Sequence, residues 1–320
     1  MQCLITTKGW CVRPIGIAAA VCVLLLASLL CACGGTEPAP IGKYSVFRRE
    51  AVGNIQQVGD VEIKASCLNN EQMIGGGYSY PDPLDNVART GTLSPLVVNA
   101  SYPSAQNEWT VRIFNPDTSP NGPNASTLVP VFAYCLTGPN VGTTIVQHSA
   151  AVPPFSASPV SVTCPGNAVV SAGGFAADAS DPINFGEGLI FASEPLRDDA
   201  GAARGWSVEA YFLQQATEPT PQVTAYALCT TAGFEAAKPA SMNIPSPGAG
   251  EGDLGSDSLC GKGQWAPGGG YHFGGNPLEG GRYTFENLAL DDLSGWHFQS
   301  YVIPYREVMV WATCVKVPSM

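Results

Sequence analysis

The sequence predicts an all-β protein in which three homologous repeats form one pseudo-threefold body. Three observations support this. Only 13% of the residues are charged, whereas glycine and proline are plentiful. This composition is typical of short strands joined by turns and disfavours long surface helices. Segments of alternating apolar and polar residues recur along the chain, and so does a set of cysteine, glycine and tryptophan landmarks.

The repeats are defined by four landmarks in a fixed order. Each repeat begins with a cysteine, and the three cysteines are 97 and 96 residues apart. Nine residues later comes the middle of a glycine cluster closed by an aromatic residue (IGGGY, SAGGF and PGGGY), then a tryptophan, then aromatic-Ala-x-Cys. The first cysteines are Cys67, Cys164 and Cys260, the tryptophans Trp109, Trp206 and Trp296, and the last cysteines Cys135, Cys229 and Cys314. Such ordered recurrence indicates internal homology.

These landmarks lie on predicted strands. The segments WTVRIF, WSVEAYF and WHFQSYV alternate with the period of two expected for a strand with one buried face. The regular position of their tryptophans predicts that all three belong to the core. The glycine clusters lack the following helix and the GK[ST] sequence of a phosphate-binding loop. We therefore predict a structural role for them, at a bulge or at close sheet packing.

The repeats cover residues 44–137, 138–231 and 232–320. They could form three tandem domains or a single body, and we predict the single body. A β-prism, in which three sheets pack around an axis, accommodates the number of repeats. The triplicated cysteine and glycine landmarks resemble, in architecture alone, the egg-coat proteins of the vitelline membrane outer layer type. That resemblance implies the β-prism fold.

The six cysteines of the repeats predict one disulfide per repeat. Six cysteines allow fifteen pairings, and the repeat pattern favours Cys67–Cys135, Cys164–Cys229 and Cys260–Cys314. An even number of cysteines suits an oxidising compartment. The sequence has no CxxC pair, and its three histidines are not spaced as ligands. We therefore expect neither a metal site nor a cofactor.

The N-terminus carries an export signal. Two basic residues precede an apolar run, IGIAAAVCVLLLASLL, that ends in small residues. The sequence Leu30-Cys31-Ala32-Cys33 resembles the lipobox of bacterial lipoproteins. This resemblance implies a signal peptide of residues 1–32, a lipid on Cys33 and attachment to the bacterial cell envelope, with residues 33–43 as a tether. The alternative is an uncleaved transmembrane anchor, since the run nearly reaches the ~20 residues of a span.

The charge of the chain disfavours nucleic acid as a partner. The formal net charge is −11, and residues 1–32 contain Lys8 and Arg13 but no acid, so the chain from residue 33 onward carries about −13. Such a surface repels phosphates and anionic lipid headgroups.

No catalytic motif is recognisable in the sequence. It lacks a G-x-S-x-G elbow. Trp265 has no counterpart in the other repeats, so we predict a surface role in ligand binding for it. His272 and His297, both in the third repeat, are the other candidate binding residues. The loop acid pairs are Asp198-Asp199 and Asp291-Asp292.

The sequence therefore predicts a non-enzymatic, lipid-anchored envelope module that binds a glycan or a protein through loops on a β scaffold, or that serves envelope structure. The alternative is a carbohydrate-active hydrolase that uses loop carboxylates. A hydrolase needs two carboxyl groups facing each other in a cleft, about 5–9.5 Å apart, whereas shallow pockets on one face would favour binding.

Overall fold

A computed structural model describes most of the chain from residue 44 to residue 316. The described ranges are 44–55, 59–80, 96–115, 127–138, 142–153, 156–178, 188–212, 220–230, 235–236, 240–244, 252–274, 282–302 and 307–316. The predicted signal peptide, Cys33 and the tether lie outside these ranges. Within them the chain forms strands and turns and no helix. The described part thus contains no helix that could span a membrane.

Each repeat contributes six strand positions. Repeat 1 forms β1 (Ser45–Ile55), β2 (Gly59–Ser66), β3 (Gln72–Ser79), β4 (Val97–Ala105), β5 (Glu108–Asn115) and β6 (Thr127–Thr137). Repeat 2 forms β7 (Thr143–Ala151), β8 (Ser158–Thr163), β9 (Val169–Asp178), β10 (Gly188–Arg197), β11 (Ala203–Phe212) and β12 (Gln222–Thr230). Repeat 3 forms β13 (Glu235–Ala236), β14 (Ala240–Ile244), β15 (Gly252–Leu259), β16 (Gln264–Phe273), β17 (Arg282–Ala289), β18 (Gly295–Val302) and β19 (Val308–Lys316), with β13 and β14 together in the first position.

The strands build three antiparallel sheets, each shared between two repeats. Sheet 1 has the order β1-β6-β3-β17-β18-β15, and sheet 2 has the order β2-β5-β4-β9-β12-β7. Sheet 3 has the order β13-β19-β16-β10-β11-β8, with β14 also paired to β19. Every sheet combines the first, sixth and third strands of one repeat with the fourth, fifth and second of another. Because no repeat closes a sheet alone, the predicted single pseudo-threefold body is confirmed and three tandem domains are excluded.

The repeats meet at short seams in the middle of each sheet. In sheet 3, for example, β10 and β16 pair only through Ala192–His272 and Ser193–Tyr271. The corresponding seams join β17 to β3 in sheet 1 and β4 to β9 in sheet 2, again through two residue pairs each. The fold is therefore a closed cycle of three repeats in which each exchanges half its strands with a neighbour, an arrangement consistent with a β-prism.

The glycine clusters allow close packing at these seams. A Cβ atom on Gly173 would overlap the indole of Trp206, and one on Gly174 would overlap the backbone carbonyl of Ser101 across the seam. The equivalent residues repeat the pattern. The middle glycines Gly76 and Gly269 face Trp109 and Trp296, and the last glycines Gly77 and Gly270 face Asn287 and Ser193. Only glycine leaves room for both contacts. The packing thus agrees with the structural role predicted for the glycine clusters.

The three tryptophans are buried, as their regular spacing predicts. Trp109, Trp206 and Trp296 are each at most 2% exposed. Each indole N–H donates to a side chain on a neighbouring strand. The acceptors are Ser101 Oγ at 3.1 Å, Ser193 Oγ at 2.9 Å and Asn287 Oδ1 at 2.6 Å. A buried tryptophan needs such a partner for its one polar atom, so Asn287 replaces in repeat 3 the serine of the other two repeats.

The three predicted disulfides are present. They join Cys67 to Cys135, Cys164 to Cys229 and Cys260 to Cys314, with Cα–Cα distances of 5.6, 5.7 and 5.7 Å. In each repeat the first cysteine follows the second strand and the last cysteine lies on the sixth strand, in different sheets. Each disulfide therefore ties one pair of sheets together, and the three together tie all three pairs.

Candidate functional site

A cavity of about 310 Å³ lies on one face of sheet 3. This face, here called the outer face, is opposite to the one that carries the buried residues Tyr271, Phe273, Val308 and Val310. The polar and aromatic residues that line the cavity are Glu194, Arg197, Asn243, His272, Glu307 and Trp311. The volume falls at the lower end of the range of small-molecule sites.

The cavity spans the seam between repeats 2 and 3. Strand alternation places His272 on the outer face of β16, and Met309 and Trp311 on the outer face of β19. On β10, Glu194 and Arg197 both line the cavity. The pairing of β10 with β11 is irregular at Arg197, because β11 has an extra residue, Arg204, between the partners of Leu196 and Arg197. Irregularities of this kind are common beside functional sites.

Edge strand β14 closes one side of the cavity. It pairs with β19 so that Asn243 lies opposite Met309. At the end of β16, the backbone N–H of Gly274 donates to the carbonyl oxygen of Glu307 at 2.8 Å. A Cβ atom on Gly274 would meet the side chain of Glu307, so the glycine allows that carboxylate to lie against the strand.

His272 and Glu194 form an ion pair at the seam. The distance from His272 Nδ1 to Glu194 Oε1 is 3.1 Å. The hydrogen bond to Glu194 raises the pKa of His272, although partial burial acts in the opposite direction. The ring also packs edge-on against Phe191, with the ring centroids 5.7 Å apart. The hydrogen bond to Glu194 thus stabilises the protonated form of His272 relative to a free imidazole.

Arg197 and Trp311 form the second paired element of the cavity. The guanidinium carbon of Arg197 lies 4.5 Å from the ring centroid of Trp311, within the range of a cation–π contact. Trp311 is 7% exposed, and its indole Nε1 has no hydrogen-bond partner among the described residues. It differs in this respect from the three core tryptophans.

The equivalent positions of the other sheets have different chemistry. The aromatic residue of aromatic-Ala-x-Cys is Phe132 in sheet 1, where Arg48 lies over the ring at 5.0 Å and also pairs with Asp291. In sheet 2 it is Tyr226, which stacks on Tyr102 with a centroid distance of 4.6 Å. The sheet registers place Tyr102 at the position of Glu194. The polar lining in sheet 3 is thus a property of one seam and not of the repeat.

His297 belongs to a different sheet. It lies on β18 in sheet 1, with Nδ1 at 2.6 Å from Asp257 Oδ1 and Nε2 at 2.8 Å from Glu286 Oε2. Glu286 Oε1 in turn accepts a hydrogen bond from Ser79 Oγ at 2.8 Å. The hydrogen bond to Glu286 is the main cause that raises the pKa of His297 to about 9. We call Ser79, Glu286, His297 and Asp257 the polar row.

The structure corrects one of the predicted site residues. Trp265 is 5% exposed and packs in a core cluster that includes residues of all three repeats, so the predicted surface role is wrong. A tryptophan without counterparts in the other repeats can fill a local difference in core volume as well as bind a ligand. Of the two candidate histidines, His272 lines the cavity and His297 does not.

The loop acids do not form a facing pair in the described residues. Asp198 accepts hydrogen bonds from the backbone N–H groups of Ala200 and Ala202 and pairs with Arg204. Asp292 accepts from the N–H of Ser294 within its own turn. These carboxylates stabilise turns, as Asp commonly does.

One cluster has the residue types of a metal site. Cys67, Glu71 and Cys135 place their ligand atoms within 4.8 Å of one another. The two sulfurs are joined in a disulfide, and Glu71 pairs with Arg49. Because cysteine binds a metal as its thiolate, two sulfurs joined in a disulfide do not supply metal ligands, and this cluster is structural.

Sequence reasoning missed Arg197, Glu194 and Trp311. The signal for Trp311 was present, since the aromatic residue of the repeat is Phe or Tyr in the first two copies and Trp in the third. Nothing in the sequence places Arg197 and Glu194 beside it, because they belong to another repeat.

Comparisons with known proteins do not classify the chain. No protein-family model matches it, and no curated protein matches it either.

Proposed function

We propose that this chain is a non-enzymatic, exported module, lipid-anchored to the bacterial cell envelope through Cys33, that binds a glycan in the cavity of sheet 3. The observation that carries the proposal is the cavity itself. It lies where two repeats meet, and it is lined by charged and amide side chains at positions that are occupied differently in the other two sheets. A functional site grafted onto one copy of a repeated scaffold has this character.

The state of the histidines supports binding over catalysis. A histidine acts as a general base only in its neutral form, and it must lie within hydrogen-bond reach of the proton it takes. His272 and His297 are both held by carboxylates that favour the imidazolium form. In the polar row, Ser79 donates to Glu286 and not to an imidazole. The loop acids Asp198 and Asp292, on which the hydrolase alternative depends, are engaged in turns.

Carboxylate, amide and indole groups together suit a polyhydroxylated ligand. Glu194, Asn243 and Glu307 offer acceptors to sugar hydroxyls, while Arg197 and His272 offer donors. Trp311 and Met309 supply the apolar part of the lining. A small number of polar groups on an apolar base is the usual composition of a small-molecule site.

The proposed location rests on the disulfides and on the N-terminal sequence. Three disulfides suit an oxidising compartment, and Leu30-Cys31-Ala32-Cys33 resembles a lipobox. Mass mapping of the protein extracted from membranes tests this part. We expect an N-terminal peptide that begins at acylated Cys33. An unmodified peptide that retains residues 1–32 would contradict lipid anchoring.

The binding part is tested with a variant that fills the cavity. Asn243 is exposed on edge strand β14, so Asn243→Trp places a large side chain at the cavity without disturbing the core. The matched control is Ser149→Trp, because Ser149 is exposed and has the equivalent register position in sheet 2, opposite Thr224. The full chain in detergent is screened against a saccharide panel by native mass spectrometry.

We expect the wild type and Ser149→Trp to retain the same saccharides and Asn243→Trp to lose them. Equal retention by all three proteins would show that the saccharide binds elsewhere. If no saccharide is retained by the wild type, the glycan proposal is wrong, and a protein ligand becomes the leading alternative.

A further inference from the structure

Strand β7 lies at the edge of sheet 2 without the usual protection of an edge strand. An edge presents a row of unpaired backbone N–H and C=O groups, and proteins commonly protect it with charged side chains, proline, a bulge or short length. β7 spans nine residues, Thr143–Ala151, and pairs with β12 over its whole length without a register shift. It contains no proline and no Asp, Glu, Lys or Arg. It therefore has none of these protective features.

The other five edges of the sheets each have at least one of them. β1, β2 and β15 carry charged residues, which include Glu50, Lys64 and Asp257. β8 is six residues long and contains Pro159. β13 and β14, which share one edge of sheet 3, have two and five residues. Within the described sheets, only the edge strand β7 combines length with a lack of charge.

The lack of charge extends around β7. Residues 118–177 contain no Asp, Glu, Lys or Arg, although the whole chain has 15 Lys and Arg and 26 Asp and Glu residues. This stretch includes β7 and β8, and β12, which lies beside β7 in sheet 2, is uncharged as well. The chain has a formal net charge of −11, so two copies repel each other least where their surfaces are neutral.

β7 is exposed on both of its faces. Gln147, His148 and Ser149 follow one another and are all exposed, and neighbouring residues of a strand point to opposite faces. His148 Nδ1 lies 3.0 Å from the carbonyl oxygen of Ser161 on β8, and Val146 packs against a core cluster. These contacts hold the strand in place. On the side away from β12, no strand of the described part of the chain pairs with it.

We infer that β7 pairs antiparallel with β7 of a second copy of this chain, so that the two copies form a symmetric dimer. The two copies of sheet 2 then become one continuous sheet. A two-fold axis perpendicular to this sheet maps each face onto itself, so one residue of the strand lies opposite its own copy. Pairing over the full length of β7 places the middle residue, Gln147, at the axis. Dimerisation at β7 is independent of the proposed glycan binding, because β7 and the cavity lie in different sheets.

The chemistry of Gln147 suits pairing with itself. An amide side chain both donates and accepts hydrogen bonds, so the two copies of Gln147 can bond to each other across the axis. Like charges that lie directly opposite destabilise paired strands, and β7 brings no Asp, Glu, Lys or Arg to the pairing. A single pair of strands is a small interface, so we expect the dimer to depend on protein concentration.

The first test traps the dimer with a cysteine at the axis. The Cβ atoms of directly opposite residues are about 4.5–5.5 Å apart, near the Cβ–Cβ distance of a disulfide. Membranes that contain the full chain with Gln147→Cys are treated with copper phenanthroline and run on a non-reducing gel. The matched control is Glu50→Cys, because Glu50 is exposed on edge strand β1 and lies opposite Phe132 as Gln147 lies opposite Tyr226. We expect a disulfide-linked dimer from Gln147→Cys and several-fold less from Glu50→Cys.

The second test uses charge at the same position. Self-association of the full chain in detergent is measured by sedimentation. Gln147→Lys and Gln147→Glu each place like charges opposite each other and should weaken self-association by about fivefold. Mixing the two variants pairs lysine with glutamate and should restore the association. Glu50→Lys, the matched control on β1, should associate as the wild type does.

Three results would overturn pairing at β7. The first is a wild type that stays monomeric, with no more cross-linked dimer from Gln147→Cys than from Glu50→Cys. The second is a dimer that neither Gln147→Lys nor Gln147→Glu weakens, which would place the interface on another surface. The third is a Gln147→Cys chain that cross-links in membranes to a different protein and not to itself, which would show that β7 accepts a strand from another partner.

Discussion

The polar row of sheet 1 predicts a specific pH dependence of stability. His297 lies between Asp257 and Glu286, and the row continues to Ser79 on β3. It therefore crosses the seam between repeats 1 and 3, where the backbone pairs only Glu286 with Ser79 and Asn287 with Tyr78. The row connects the first repeat to the last and so stabilises the closure of the cycle.

The direction in which stability changes with pH follows from the pKa shifts of His297 and Glu286. The pKa of His297 is raised from 6.5 to about 9, so its contribution to stability is fully present below pH 6.5 and is lost as the pH rises through about 9. The pKa of Glu286 is lowered, chiefly by the hydrogen bond from His297. Its contribution is present above its ordinary pKa and is lost as the pH falls through the lowered value. Both contributions are complete near pH 6.

Exposure to solvent limits the contribution of the polar row to the free energy of unfolding. One unit of pKa corresponds to about 1.4 kcal/mol, so the shift of the His297 pKa from 6.5 to about 9 sets an upper limit of about 3.5 kcal/mol. The side chains of His297 and Asp257 are 30% and 45% exposed, and water weakens such pairs considerably. We therefore expect the row to contribute about 1–2 kcal/mol to the free energy of unfolding.

The assay is urea unfolding of the wild type and His297→Gln at pH 6 and pH 9.5. Between these values the wild type should lose about 1–2 kcal/mol more than the variant. Ionisation of other groups, including the His272–Glu194 pair, affects both proteins equally. His148→Gln, a change at an exposed histidine, serves as the control and should follow the wild type. Equal losses by the wild type and His297→Gln would refute the assignment.

Three further predictions concern packing, covalent links and the cavity. Gly173→Ala should lower the free energy of unfolding by about 2 kcal/mol or more, because the new methyl group overlaps a buried indole. The control is Gly255→Ala, whose Cβ would lie 3.2 Å from a side-chain carbon. It should lower the free energy of unfolding by less than about 1 kcal/mol in the same urea titration. A similar loss in the two variants would contradict the packing argument. Replacing Cys164 and Cys229 by alanine removes a disulfide that closes a loop of 65 residues. The free energy of unfolding should fall by about 4 kcal/mol in the chain-entropy account, as measured by denaturant titration without reductant. A loss under about 1 kcal/mol would show that this disulfide adds little to stability. Glu194→Gln should lower the pKa of the imidazole bonded to it, as followed by NMR titration, and an unchanged pKa would mean that another group raises it.

The features that recur in all three repeats could be predicted from the sequence. Six cysteines in three equivalent pairs predicted the disulfides, and the spacing of Trp109, Trp206 and Trp296 predicted their burial. Recurrence makes such inference possible, because a residue that occupies the same position in three repeats has the same structural role in each. Trp265, which does not recur, was assigned wrongly for the complementary reason. Its absence from the other copies indicated a local difference but not whether that difference lies in the core or at the surface.

The exchange of strands between repeats was not readable from the sequence. Local patterns predict that a segment is a strand and which face it buries, but the partner of each strand is a long-range property. In this chain β4, β10 and β17 pair with strands of other repeats. A repeat that paired all its strands with one another would show the same alternation of apolar and polar residues, so the sequence pattern does not distinguish the two arrangements.

The sequence by itself determined the all-β class, the threefold repetition, the covalent links and the residues at the centre of each core, because these depend on composition, period and recurrence along the chain. Only the tertiary structure decided where the candidate site lies. Glu194 and Arg197 come from repeat 2, and Asn243, His272 and Trp311 from repeat 3. They meet because each sheet is built from halves of two repeats, and that juxtaposition depends on pairing between strands that are distant in sequence.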